Sequence, residues 1–211
     1  KLGNNIYYAH EYIDDDDVRH LTINETVRIE DMDISDSDLD VFNDVTQING
    51  SLIIRRCHNL ESIDGFVNLR YIDGSLSIRD NSNLNNVNAL SNLERVEKNF
   101  IIVSNNNLLG LNGFSALTSV GRDFDINSNN KLSNLNGFPA LTHIDGKCNI
   151  IDNEALTSLE GMSAVESIRE TINIYGNGYC ANYSEILENA AGEGNCFYVN
   201  QDINGCNPVN V

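Results

Sequence analysis

Apolar and polar residues recur along this chain with a period of 24 residues. Rows of that length begin at Val45 and align without a gap, so that aliphatic residues fall in the same columns of six successive rows. One column contains only isoleucine, at Ile54, Ile78, Ile102, Ile126, Ile150 and Ile174. A second column is glycine in four of the first five rows, with Ala89 as the exception, at Gly65, Gly113, Gly137 and Gly161. Similarity at a fixed period is the sequence signature of a repeat architecture.

Within each row the pattern is typical of short β-strands. The segments Leu76-Ser77-Ile78 and Phe124-Asp125-Ile126 alternate apolar and polar residues, and no stretch keeps helical spacing for three turns. Asn and Gly turns separate these segments at constant spacing. The sequence therefore predicts an all-β, right-handed β-solenoid, similar to a leucine-rich repeat, with about six to seven coils stacked along one axis.

One polar column calls for a structural explanation. Asparagine occupies the same position in five rows, with Cys57 in the first row, at Asn81, Asn105, Asn129, Asn153 and Asn177. Amides at a fixed corner can bond backbone groups that a turn leaves free, and can bond the amides of the neighbouring coils. We therefore expect an internal asparagine ladder rather than a ligand site.

The open ends of a solenoid need covering, and the sequence offers a short helix at each end. At the front, residues 35–42 predict an acidic helix with Asp36 or Ser37 as its N-cap, and residues 183–192 predict a second helix that ends at Gly192. This gives an acidic, loosely ordered extension at 1–21 and one solenoid domain at 22–208. Within that domain we expect a front cap at about 33–44, coils at 45–180 and a C-terminal cap at 181–208.

The repeat resembles the receptor L-domain family. The segment from Ile72 to Asn81, with its equivalents in the other rows, carries the family's Gly-x-Leu-x-Ile-x-x-Asn pattern. That family includes the L domains of the insulin and epidermal growth factor receptors and many secreted bacterial proteins. The resemblance covers about residues 22–208 and implies the fold and an extracellular location, but it transfers no specific contact residues.

The five cysteines divide into two groups. Cys57 and Cys148 fall in the asparagine column and in a core column, so we expect both to be buried free thiols. Cys180, Cys196 and Cys206 follow the last coil, and one disulfide among the three is expected. The resemblance to cysteine-bearing family tails favours Cys180 with Cys206, and Cys196 with Cys206 is the alternative.

Net charge excludes several functions. The chain carries 13 Lys plus Arg against 31 Asp plus Glu, a formal charge of −18, which argues against binding nucleic acid or an anionic membrane surface. No apolar run approaches the roughly 18 residues of a membrane-spanning helix. Structural calcium at the acidic front is a minor hypothesis beside a solvated acidic face, and its candidate ligands are Asp14–Asp17, Asp31, Asp33, Asp36, Asp38 and Asp40. No other cofactor or metal is predicted. Sequons for N-glycosylation occur at Asn24, Asn49 and Asn182.

No catalytic set converges in the repeat frame. The four histidines fall at different repeat positions, and no nucleophile elbow, phosphate loop or zinc motif is present. Asp123 and Asp125 on one strand have a spacing compatible with glycoside hydrolysis, but a solvated acidic face is the preferred interpretation. We therefore predict a protein without enzymatic activity, and a polysaccharide-active enzyme is the lesser alternative.

The outward positions of the Gly-Ser-Leu-x-Ile strand predict a surface for a partner. Aliphatic residues stand where alternation predicts polar ones, and two arginines are neighbours in an otherwise acidic chain. In the receptors that the repeat resembles, this sheet face meets the hormone. The hypothesis is a secreted or cell-surface recognition module for a protein or glycan partner, with a structural spacer as the alternative. The candidate contacts are Ile53, Arg55, Arg79, Ile101, Val103, Ile151 and Tyr175. The oligomeric state stays open.

Overall fold

The structure is a computed structural model that describes residues 9–13, 19–178 and 197–198, with side chains for 21–178. The described residues contain short strands and five 3₁₀ helices. The strands are β1 Ala9–Ile13, β2 Arg19–Ile23, β3 Val27–Glu30, β4 Val45–Ile48, β5 Leu52–Arg55, β6 Tyr71–Ile72, β7 Leu76–Arg79, β8 Arg95–Val96, β9 Phe100–Val103, β10 Ser119–Val120, β11 Phe124–Asn127, β12 His143–Ile144, β13 Cys148–Ile151, β14 Ser167–Ile168, β15 Ile172–Tyr175 and β16 Phe197–Tyr198. The 3₁₀ helices are η1 Asp36–Phe42, η2 Asp64–Phe66, η3 Asn88–Asn92, η4 Asn112–Phe114 and η5 Glu160–Met162.

The strands form two sheets of eight. Sheet 1 has the order β1-β2-β4-β6-β8-β10-β12-β14, and sheet 2 has the order β16-β15-β13-β11-β9-β7-β5-β3. Every pairing is parallel except the antiparallel pair β1–β2. Residues 24 apart lie side by side, as Ile78 lies between Ile54 and Ile102. The all-β class and the stacking of successive rows are therefore confirmed.

The core lies between the two sheets and contains the aliphatic columns of the repeat. The isoleucine column from Ile54 to Ile174 is at most 1% exposed. Aromatic rings fill the middle of the stack, where Phe100 stacks on Phe124 with ring centroids 4.9 Å apart and meets Phe114 edge-on at 4.7 Å. Burial of a continuous apolar interior is what stabilises each coil, because a single coil has no interior of its own.

The front helix predicted over residues 35–42 is a 3₁₀ helix at Asp36–Phe42. Its N-cap is Ser35, not Asp36 or Ser37, and the backbone N–H and hydroxyl of Ser35 both donate to Asp38 Oδ2 at 2.9 Å. Phe42 stacks on Phe66 of η2 with centroids 4.9 Å apart, so η1 occupies the place of the 3₁₀ turns in the later rows. From the sequence we expected a separate cap before the first coil. The equivalence of η1 to the later 3₁₀ turns was not recognised, because η1 is longer than they are.

The parallel stack also begins earlier than the predicted first coil at Val45. Strand β3 pairs with β5, and β2 pairs with β4, so residues 19–30 already form both sheets. A register shift between Leu21 and Thr22 marks this turn, where pairs are mostly 25 residues apart instead of 24. Because of this extra residue, residues 19–30 do not align with the 24-residue columns of the later rows. Strand β1 lies inside the segment that the sequence assigned to an extension.

The asparagine column forms a continuous set of buried hydrogen bonds at one corner. Asn105 Nδ2 donates to the carbonyl oxygen of Ile78 at 2.9 Å, and the N–H of Asn105 donates to Asn129 Oδ1 at 3.0 Å. The same bonds recur along the column from Asn81 to Asn177. In the first row the Cys57 thiol donates instead to the carbonyl of Ile29 at 3.4 Å.

A left-handed residue precedes each position of this corner. The residue after every strand of sheet 2 from β3 to β15 has φ between 54° and 67°: Asp31, Arg56, Asp80, Ser104, Ser128, Asp152 and Gly176. A left-handed conformation costs a non-glycine residue roughly 1–2 kcal/mol. The asparagine bonds that follow in each coil offset part of that cost.

Candidate functional site

The predicted binding surface is the outward side of sheet 2, which we call the outer face. Strands β5, β7, β11, β13 and β15 alternate buried and half-buried residues, so their outward side chains form three columns. The flanking column is Thr26, Ser51, Ser75, Asn99, Asp123, Lys147 and Thr171. The central column is Arg28, Ile53, Ser77, Ile101, Asp125, Asn149 and Asn173. The distal column is Glu30, Arg55, Arg79, Val103, Asn127, Ile151 and Tyr175.

The flanking column is committed to structure over most of its length. Ser51 Oγ accepts the N–H of Ser75 at 2.9 Å, and Ser75 Oγ accepts the N–H of Asn99 at 3.2 Å. Asn99 and Asp123 continue the series, which ends at the N–H of Lys147. These oxygens satisfy backbone donors at the start of each strand. From the sequence we expected these side chains to point outward, and this second ladder was not predicted. An oxygen-bearing side chain at the same position in five successive rows would have indicated it.

The last aliphatic residue of the central column is Ile101, and the residues from β11 onward are polar. Ile101 is only 8% exposed, although the alternation of the strand places it outward. Asp125, which pairs with it on the next strand, accepts a hydrogen bond from Asn149 Nδ2, and Asn149 Oδ1 accepts one from Asn173 Nδ2 at 2.6 Å. Burial raises the pKa of the Asp125 carboxyl group, against the opposing effect of the Asn149 hydrogen bond.

The distal column places two arginines side by side. Arg55 and Arg79 are direct partners in the β5–β7 register. The nearest carboxylate to Arg55 is Glu30, with Nε and Oε1 4.0 Å apart, and Arg55 Nε is a buried atom without a hydrogen bond in the described part of the chain. Arg79 Nε donates to Ser77 Oγ at 3.1 Å, and the described residues offer it no carboxylate within 4.0 Å.

The remaining candidates lie further along the same column. Val103 pairs with Arg79, and Ile151 pairs with Tyr175, while Asn127 separates Val103 from Ile151. Ile53 is separated from Ile101 by Ser77. The structure thus brings the seven candidate residues onto one face, in two groups: an arginine and aliphatic group on β5–β9, and an apolar pair on β13–β15.

The two carboxylates of the hydrolase alternative are both engaged. Asp123 Oδ1 accepts the N–H of Lys147 at 2.9 Å, and Asp125 Oδ1 accepts the Asn149 bond. Both groups therefore have a structural partner. Within residues 9–13, 19–178 and 197–198, no cluster of three histidine, cysteine or acidic side chains has a geometry suited to a metal ion.

Two cavities lie away from the centre of the outer face. One, of about 310 Å³, is lined by Asp31, Met32, Asp33, Arg56, His58 and Asn59 at the corner after β3 and β5. Arg56 forms an ion pair there with Asp31, and it lowers the pKa of that carboxyl group. The other, of about 290 Å³, lies at the opposite corner beside Asp123, Asp145 and Glu170. Neither cavity includes a candidate contact residue.

Several predicted features can be located and others cannot. Cys57 and Cys148 are buried free thiols, and burial raises the pKa of Cys148 to about 12. Asn24 and Asn49 are exposed, and Asn49 Nδ2 donates to Asn24 Oδ1 at 2.6 Å. The predicted disulfide of Cys180 with Cys206, the alternative with Cys196, the helix at 183–192, the Asp14–Asp17 run and the Asn182 sequon lie outside the described residues.

Comparison with known proteins gave one match. Residues 20–116 match the model of the family described as "Receptor L domain". Searches of curated proteins and of solved structures gave no match. Among the described residues, no helix has the length and apolar character needed to cross a membrane. Receptor L domains are non-catalytic, ligand-binding domains that are typically extracellular. The matched part of the chain, residues 20–116, includes β3 to β9 and the arginine pair, and it is similar to the receptor L domain family.

Proposed function

We propose that the chain is a non-enzymatic, extracellular recognition or adhesion module that binds a protein or glycan partner on the outer face of sheet 2. The contact residues in this proposal are Ile53, Arg55, Arg79, Ile101, Val103, Ile151 and Tyr175. Secretion and display at a cell surface are part of the same proposal, and they follow from the family's typical location.

The observation that supports it is the rigid support of a partly apolar sheet surface. The asparagine ladder fixes the end of each strand of sheet 2, and the oxygen ladder of the flanking column fixes the beginning. Outward side chains are therefore presented from a backbone that is bonded at both ends. A partner that docks on such a surface loses little conformational freedom from this chain.

The test is a binding screen of the intact chain against glycans and secreted proteins, with a matched pair of variants. Arg79→Glu with Val103→Asp places negative charge on the outer face, and we expect loss of the binding that the screen finds. Arg95→Glu with Ser119→Asp makes the same change in charge on outward positions of sheet 1, where β8 and β10 are neighbours. Equal binding by both variants would disprove the proposed surface.

A structural spacer is the alternative that this pair of variants also tests. A spacer needs rigidity but no particular outer face, so it predicts that neither double variant alters attachment to a surface. The lesser alternative is a polysaccharide-active enzyme. It predicts that the double variant Asp123→Asn with Asp125→Asn has a lower rate of any glycan hydrolysis that a screen detects.

A further inference from the structure

The arginine pair of the outer face has one carboxylate within 4.0 Å in the described chain, that of Glu30 beside Arg55. Arg55 and Arg79 are directly opposite each other on neighbouring parallel strands, which lie about 4.8 Å apart. Like charges in this position destabilise a sheet unless a counter-charge is near. Glu30 reaches Arg55 only at 4.0 Å, and Arg79 is bonded to the Ser77 hydroxyl alone among the residues that the structure describes.

Both guanidinium groups remain accessible for a bidentate partner. The Arg55 side chain is 37% exposed although its Nε is buried, and Arg79 is half-buried on the same side. A carboxylate fits two such groups because its two oxygens accept parallel N–H bonds. The pair is therefore a suitable site for one carboxylate, supplied by another molecule.

The surface next to the pair is apolar and then acidic, which limits the shape of the partner. Val103 follows Arg79 on β9, with the nearly buried Ile101 on the same strand, and Asp125 follows on β11. A polyanion that crossed the sheet would meet Asp125 and Asp123 after two strands, within a chain of net charge −18. A single negative charge followed by an apolar group avoids this repulsion.

We infer that the partner is an extended peptide segment that carries an acidic residue and, two positions later, an aliphatic residue. This inference rests on the proposed function and specifies its ligand. The midpoint of the arginine pair lies about one and a half strand spacings, or about 7 Å, from Val103. Alternate side chains of an extended peptide are also about 7 Å apart. The carboxylate then bridges Arg55 and Arg79 while the aliphatic side chain packs on Val103, with the peptide running across the strands.

The experiment selects ligands from a bead library of acetylated, amidated hexapeptides with the intact chain. We expect enrichment of Asp or Glu followed at the second position by Val, Ile or Leu. For a selected peptide, Arg79→Gln is expected to weaken binding by about tenfold or more, as is the peptide's own Glu→Gln or Asp→Asn exchange. The combination of both changes should weaken it little further, because each removes the same contact.

The matched control is Arg95→Gln, which removes the same charge from an outward position of sheet 1. If Arg95→Gln and Arg79→Gln weakened peptide binding equally, the change in net charge alone would explain the effect. That result would overturn the inference. Selected peptides without an acidic residue, or without the aliphatic residue at the second position, would overturn it as well.

A parallel array of neutral and acidic glycans separates this inference from the proposed function. Glycan binding that Arg79→Glu with Val103→Asp abolishes, in the absence of any selected peptide, would overturn the peptide ligand and support the outer face. Absence of binding to every peptide and glycan probe would count against both.

Discussion

The side-chain oxygen of Asn105 accepts two hydrogen bonds from Asn81, one from its backbone N–H at 3.1 Å and one from its Nδ2 at 3.2 Å. The left-handed turn leaves backbone groups of each coil without a backbone partner. Each asparagine side chain of the column provides a hydrogen-bond partner for such groups in the neighbouring coil. Because every member is buried, the bonds form without competition from water, and a gap would leave polar groups unsatisfied.

Removal of one member should therefore be costly. Asn129→Ala leaves the buried N–H of Asn105 and the carbonyl of Ile102 without their partners. We expect a loss of about 2–4 kcal/mol in the free energy of unfolding, measured by urea denaturation. The exposed neighbour Asn130 provides the control, since Asn130→Ala removes an amide of the same size from the surface.

Cys57 offers a second comparison within the same column. Its thiol donates to carbonyl oxygens and accepts a bond from the backbone of Met32, and sulfur is a weaker donor and acceptor than an amide. Cys57→Ala should consequently destabilise the chain less than Asn129→Ala does. Equal losses would contradict the view that the stronger hydrogen bonds of the amide are its main contribution to stability.

The glycine column has a steric origin that can be tested at Gly113. A Cβ atom added there would lie 1.7 Å from the carbonyl oxygen of Val87 in the preceding coil. Since that atom is backbone, Gly113→Ala should cost about 3 kcal/mol or more in unfolding free energy. Gly110→Ala is the control, because its added Cβ would have no neighbour closer than 3.8 Å. If Gly113→Ala left the free energy of unfolding unchanged, the neighbouring coils would have to move apart at little cost.

The residues with positive φ that follow the strands of sheet 2 predict a substitution that increases stability. Ser128 has φ of 56°, which a residue without a Cβ adopts without strain. Ser128→Gly should therefore raise the free energy of unfolding by about 0.5–1 kcal/mol, after the loss of chain entropy is subtracted. Ser128→Val should lower it, because a β-branched residue is least suited to this region. The reverse order in thermal or urea denaturation would contradict the assignment of backbone strain to this position.

The sequence predicts most of this fold because periodicity reports on burial. The isoleucine column and the asparagine column were identifiable because each position contacts its own equivalent in the next coil, so one physical requirement repeats every 24 residues. The first turn was harder to recognise, since its pairs with the next coil are mostly 25 residues apart.

The outer face is less predictable for a related reason. Its side chains are not fixed by an interior, so alternation identifies which residues point outward but not what each one contacts. The sequence could not show that Ser51 and Ser75 bond backbone groups, or that Arg79 has no acidic partner among the described residues. These features depend on side-chain geometry between coils.

Asp125 provides a test of the outer face by pH. Burial raises the pKa of its carboxyl group in the folded chain, so the folded state binds this proton more tightly than the unfolded state. This group therefore opposes folding when ionised at neutral pH, and its unfavourable effect disappears as the pH falls through the folded pKa. Asp38 acts in the opposite direction, because its bonds from Ser35 lower its pKa.

Asp125→Asn keeps an acceptor for Asn149 and removes the charge. We expect the variant to be more stable than the original chain at pH 7, and the difference to decrease as the pH is lowered through the raised pKa of Asp125, where this carboxyl group itself becomes protonated. The measurement is urea denaturation of both proteins at several pH values, with Asp80→Asn as a control for an exposed carboxylate on the neighbouring corner. A stability difference that stays constant with pH, or that favours Asp125 at pH 7, would show that the Asn149 hydrogen bond outweighs burial at this position.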